Sequence, residues 1–147
     1  MFIQKIENDK KQFLDLLLLA DEQEHMIDRY LEKGEMFGLF DDGLKSICVV
    51  TNEGSGFCEL KNIATYEAFQ GKGYGKHLLS FILQHYKGLF NVMYVGTGDH
   101  SAAASFYTHF GFQYSHRLRN FFPDHYDYPI YEQGKQLVDM IYFKKKL

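Results

Sequence analysis

Three glycines alternate with a lysine and a tyrosine in Gln70-Gly71-Lys72-Gly73-Tyr74-Gly75-Lys76. The chemistry such a stretch offers is anion binding. A strand-forming run ending Asn62-Ile63-Ala64-Thr65 leads into it, and apolar Leu78, Leu79, Ile82 and Tyr86 follow at helical spacing. The first turn of a helix has four N–H groups without intrahelical partners and lies at the positive end of the helix dipole, so a phosphate can satisfy them. Without Cβ atoms at Gly71, Gly73 and Gly75, the chain can take positive φ and ligand oxygens can approach the main chain. Lys72 and Lys76 add positive charge.

Spacing separates the phosphate loops that could claim these glycines. A Walker A loop aligned on Gly75-Lys76 meets Gln70 where it needs glycine and His77 where it needs Ser or Thr. A dinucleotide G-x-G-x-x-G started at Gly71 or Gly73 meets Lys76 or Leu78 at its third glycine. The pattern that fits is Q/R-x-x-G-x-G/A, filled by Gln70, Gly73 and Gly75, which resembles the acyl-CoA pyrophosphate loop of the GNAT superfamily of N-acyltransferases. After a further strand-like run, Ala103 to Phe112 resembles that family's A-x-x-F-Y-x-x-x-G-F segment. The resemblance covers most of the chain and is clearest from Phe57 to Tyr114. It implies a mixed α/β fold of about seven strands in a twisted sheet, with helices on both faces and splayed central strands admitting the thioester arm.

The resemblance assigns the cofactor-binding stretch to Ile63, Ala64 and Thr65 on the strand and to Gln70, Gly71, Lys72, Gly73, Tyr74, Gly75 and Lys76 in the loop. Strand backbone can pair with pantetheine amides as an added strand would, and an N–H near Ile63 or Ala64 can stabilise charge growing on the carbonyl oxygen. Tyr107 holds the family's acid position. A phenol of pKa about 10 suits a thiolate leaving group of about 8.5. Packing, or a hydrogen bond to the sulfur, is the alternative role for that ring. Glu59 is the best-placed base, acting through water; Lys61, two residues on, offers instead to neutralise it in an ion pair. His100 stands where many family members carry an asparagine that contacts pantetheine, and this departure leaves that contact open.

The implied activity is transfer of an acetyl group from acetyl-CoA to a primary amine, small-molecule or peptide, by direct attack in a ternary complex. The alternative is an acyl-CoA-binding sensor or interaction module without catalysis on the same scaffold. No metal is called for. The first two helices and the segment Arg119 to Gln136 are expected to line the acceptor site. There Tyr126, Tyr128, Tyr131, Asp124 and Asp127 can cradle a cation, or the rings can simply cap the sheet.

The length of 147 residues suits a single domain, 1–147. A net charge of -3 gives no general attraction for nucleic acid or anionic membrane. The apolar run Leu16 to Ala20 is too short to cross a bilayer or serve as a signal segment, which points to the cytoplasm. A homodimer is a family-level expectation. Cys48 and Cys58 flank a turn near Glu53 that would set them opposite one another, and two reduced buried thiols are the expected state.

Periodicity predicts strands at 2–6, 36–40, 44–51, 57–65, 90–95, 112–118 and 138–143. Two helices are predicted before Gly34, the first capped by Asn8 or Asp9 and the second opening on Asp21, Glu22 and Glu24. A third follows the glycine loop, a fourth spans Ser101 to Phe110, Gly96 to Asp99 break a strand, and Lys144 to Lys146 form a tail. The order is β-α-α-β-β-β-α-β-α-β-β.

Overall fold

A computed structural model describes residues 1–147, which group into two compact units: Met1–Asn91 with Leu147, and Val92–Lys146. The first unit contains β1 (Phe2–Ile6), α1 (Leu14–Ala20), α2 (Glu24–Asp28), β2 (Glu35–Phe40), β3 (Leu44–Gly54), β4 (Phe57–Thr65) and α3 (Tyr74–Tyr86). Its strands pair antiparallel in the order β1-β2-β3-β4. Adjacent residues of a strand point to opposite faces, and Met36 and Phe37 show what each face of this sheet holds. Met36 packs with Leu16, Leu17, Ile27, Tyr30 and Leu31 beneath α1 and α2. Phe37 meets the rings of Phe81, His85 and Tyr86 from α3. Helices therefore cover both faces, in the mixed α/β class expected. Fully buried Leu16 and Leu17 each contribute on the order of 2 kcal/mol of apolar burial.

The second unit contains β5 (Val92–Gly98), α4 (Ala103–His109), β6 (Gln113–Leu118), α5 (Phe121–His125), β7 (Tyr131–Glu132), β8 (Lys135–Gln136) and β9 (Met140–Lys146). β9 pairs antiparallel with β5 on one side and β6 on the other, while β7 and β8 form a separate two-stranded ribbon. No helix in the chain is long and apolar enough to cross a membrane.

Several local expectations are corrected. Asp9 is left-handed, with φ 51°, and makes no side-chain cap; a 3-10 turn at Lys10–Phe13 precedes α1. Asp21 and Glu22 lie outside α2, which starts at Glu24; the Asp21 carboxylate instead accepts a hydrogen bond from the Tyr30 hydroxyl at 3.0 Å. Gly96 and Gly98 continue β5 rather than break it, because Met140 and Leu137 side chains occupy the space their Cβ atoms would need, at 2.7 and 2.6 Å. Lys144 to Lys146 pair along β5 as part of β9. The segment Arg119 to Gln136 holds a helix and a ribbon.

Cys48 and Cys58 do not face each other: Cys48 pairs with Ile63, and Cys58 with Asn52. Both are free, buried thiols, and burial pushes each up to about 12.

Candidate active site

In the first unit β4 ends in a braced strand terminus. Ser46, opposite Thr65, donates its hydroxyl to the Ala64 carbonyl at 2.9 Å and lies 3.0 Å from the Thr65 hydroxyl. Gln70 folds its side chain back to donate to the Thr65 carbonyl at 3.0 Å. A 3-10 turn, Glu67–Phe69, joins strand to loop. Gly71 and Gly73 then take φ of 77° and 90°, and a Cβ at either would meet nothing within 4 Å. The loop is open just where a ligand would approach. Gly73 caps α3 without any side-chain hydrogen bond to its end, so the first-turn N–H groups have no capping partner.

Gly75 differs from the expectation. It lies inside the first turn of α3 and not among the positive-φ residues, so the helix begins earlier than its apolar stripe suggests. Tyr74 is not aimed at a ligand through its hydroxyl, which donates to Asp41 at 2.8 Å; that bond holds the phenol above its usual ionisation range and ties the start of α3 to the β2–β3 turn. Lys72 and Lys76 are exposed. Lys45, absent from the sequence reading, brings its ammonium 4.1 Å above the Phe69 ring, and Lys72 stands 5.6 Å from the same ring.

Glu59, 9% exposed, lies 3.0 Å from the Lys61 ammonium. The strict alternation that would array Glu59, Lys61 and Ile63 on one face does not hold. Val49 pairs with Asn62 and Val50 with Leu60, which makes Lys61 the extra residue of a β-bulge in β4. Next to it, Asn62 donates to the Leu17 carbonyl and the Tyr30 hydroxyl, each at 3.1 Å, while its own side-chain oxygen is buried without a partner. Asn62 follows Lys61 in a strand that also carries Glu59, so nothing in its local sequence singled it out for this network.

In the second unit Tyr107 is 6% exposed, its ring 5.3 Å from Phe106 and 5.7 Å from Phe112. The turn after α4 fixes that packing: Gly111 takes φ 91° and the Phe112 N–H bonds back to the Tyr107 carbonyl at 3.1 Å. His100 is exposed in the turn following β5. Its neighbour Asp99 accepts hydrogen bonds from the N–H groups of Val138 and Asp139, at 3.0 and 3.2 Å. Tyr126, Asp127 and Tyr128 line a surface cleft of about 240 Å³; Asp124 and Tyr131 do not line it. No group of three or more His, Cys, Asp or Glu side chains is placed to hold a metal ion.

The open glycine turn leading into an uncapped helix start has the form of an anion-binding loop, and comparison with known proteins specifies the family. Residues 32–114 match the acetyltransferase (GNAT) domain family. The chain belongs to that family. A curated relative, an uncharacterized N-acetyltransferase named YvbK from Bacillus subtilis (strain 168), is 36% identical over 138 residues, covering 92% of this chain and 89% of that protein. Among solved structures, a GNAT family acetyltransferase from Elizabethkingia anophelis with acetyl-CoA bound is 32% identical with a TM-score of 0.93, covering 99% of this chain and 97% of that one. A Bacillus subtilis acetyltransferase in complex with CoA is 34% identical with a TM-score of 0.90 over the same shares.

Proposed function

We propose that the chain transfers an acetyl group from acetyl-CoA to a primary amine, small-molecule or peptide, by direct attack within a ternary complex. One observation carries the reading: an open, doubly left-handed glycine turn at Gly71 and Gly73 delivers the uncapped start of a 13-residue helix at the end of β4. That cradle fits a pyrophosphate, which would accept from loop and first-turn N–H groups with Lys72 and Lys76 alongside. The acetyl-CoA complex of one relative and the CoA complex of another support the choice of donor. Bound there, the cosubstrate supplies an activated thioester. Backbone of Ile63 to Thr65 would hold its amide-bearing arm, and a main-chain N–H near Ile63 or Ala64 would receive the oxygen on which charge develops.

Glu59 takes the proton of the incoming amine through water in this scheme, and Tyr107 gives its phenolic proton to the departing thiolate. The Lys61 ammonium, 3.0 Å away, holds the Glu59 carboxylate in place on β4. His100, exposed in the turn after β5, occupies the position where the family resemblance puts an asparagine contact to pantetheine, and offers its ring in that place. The whole chain acts as one catalytic domain, and its reduced thiols suit the cytoplasm.

The test is a screen for CoA release from acetyl-CoA over diverse amines, alongside calorimetric titration of acetyl-CoA. Binding together with amine-dependent release is the expected result. Absence of acetyl-CoA binding would remove the reading, and tight binding with no release from any amine would favour the sensor role.

A further inference from the structure

Two hydroxyls stand side by side where β4 ends, and hydrogen-bond counting fixes which way each proton points. The Ser46 hydroxyl, 0% exposed, meets the Ala64 carbonyl at 2.9 Å and the Thr65 hydroxyl at 3.0 Å. A carbonyl only accepts and a hydroxyl has a single proton, so that of Ser46 goes to Ala64. In the other contact Ser46 therefore accepts, and the donor is Thr65. The relay runs one way, from Thr65 to Ser46 to the Ala64 carbonyl. Because the β3–β4 register sets Ser46 directly opposite Thr65, the sheet itself holds this direction.

Thr65 is left with a hydroxyl oxygen whose proton is committed inward and which can only accept from a ligand. It is half-buried, on the last residue of the strand that leads into the glycine loop. Polarity thus reverses over a short stretch of chain. The loop and the first turn of α3 present N–H donors, which suit phosphate oxygens. The Thr65 oxygen presents lone pairs, which a phosphate or carboxylate oxygen would meet with repulsion. The neighbouring carbonyls already have side-chain donors: Ala64 takes the Ser46 proton, and Thr65 takes the Gln70 amide at 3.0 Å. A ligand atom at this point must itself be a donor. In the arm of an acyl-CoA the nearest donor to the thioester is an amide N–H, separated from it by the sulfur and a pair of methylenes. That separation matches roughly one to two strand residues at about 3.3 Å each. Counted along β4 from the N–H near Ile63 or Ala64 that would receive the thioester oxygen, it ends at Thr65.

Resting on the acetyltransferase reading, we infer that the Thr65 hydroxyl accepts a hydrogen bond from the pantetheine amide nearest the thioester, with Ser46 directing its lone pairs toward that amide. The contact sets how deeply the arm enters. Phosphates held at the loop and an amide held at Thr65 fix the arm at two points and bring the thioester to Ile63 and Ala64.

Calorimetric titration of the full chain with acetyl-CoA, and with ADP, which keeps the pyrophosphate and lacks the arm, tests this. Thr65→Val keeps the branched shape and removes the hydroxyl. It should raise the Kd for acetyl-CoA by about threefold to tenfold, the scale of one neutral hydrogen bond, and leave that for ADP unchanged, which also certifies an intact loop. Thr65→Ser, which restores a hydroxyl, should recover most of the lost affinity. Unchanged acetyl-CoA affinity in Thr65→Val, or an equal loss for ADP, overturns this inference and leaves the transferase reading standing. Failure of the parent chain to bind acetyl-CoA overturns both.

Discussion

Tyr107 carries its phenol in a ring packed between Phe106 and Phe112. Replacing it with phenylalanine keeps that packing, so Tyr107→Phe isolates the hydroxyl. Under the proposed mechanism kcat should fall by about a hundredfold or more while acetyl-CoA affinity holds, the range for loss of a general acid. An unchanged kcat would return Tyr107 to a packing role. Glu59 calls for a paired experiment because Lys61 sits 3.0 Å away. Glu59→Gln should depress kcat/KM and erase the acidic limb of its pH profile. Lys61→Met, which removes only the counter-ion, should leave kcat within a few-fold of the parent if Glu59 alone is the base. If both variants alter stability alone, the pair is structural. The sequence left these two roles of Glu59 open, and could not do otherwise: the ion pair arises beside a bulge whose position depends on how β3 and β4 register, and register is a non-local property.

Among the elements, the strand–glycine loop–helix junction was legible almost whole, because its chemistry is written in local spacing. Only Gly75 was misread, and its place inside α3 puts the strain-bearing turn on Gly71 and Gly73. Gly73→Ala would put a side chain on a left-handed backbone at a cost of about 1 kcal/mol, with no clash to add to it. The expected outcome is a modest loss of stability in urea and a larger loss of acetyl-CoA affinity by calorimetry; equal losses would argue that the loop only turns the chain. The segment from Arg119 to Gln136 was not legible as structure. Its helix and ribbon are five and two residues long and rest on pairings with Asp99 and Asp139 that no periodicity announces. Asp139 makes this testable by pH. Its carboxylate is held below the usual range by the Asn120 N–H and by Arg117. A depressed folded value means stabilisation present above the unfolded carboxyl range of about 3.9 and lost as pH falls through the folded value. Asp139→Asn should therefore be less stable than the parent at pH 7, with the gap closing in acid. A gap that stays constant as the pH is lowered through the acid range would assign the loss to packing.

For the molecule as a whole, apolar runs and turn residues marked the order of strands and helices and the family resemblance implied the mixed α/β class, while glycine misled where a neighbour filled its missing side chain. Gly96 and Gly98 look like punctuation in sequence and are space made for Met140 and Leu137. Cysteine placement was misjudged for the related reason that one slipped register moves every partner. The outcome of that placement bears on how the proposed transfer can be followed. Both thiols are shielded and pushed up to about 12, so at pH 8 only on the order of one in ten thousand is ionised. The native chain should therefore leave an aromatic disulfide dye colourless for the minutes of an assay, and in denaturant should take up two equivalents, one for each cysteine. Prompt colour from the folded chain would contradict the burial. With that background silent, every increment of absorbance during turnover reports the coenzyme's sulfur, and a slow late rise serves as a built-in clock for unfolding.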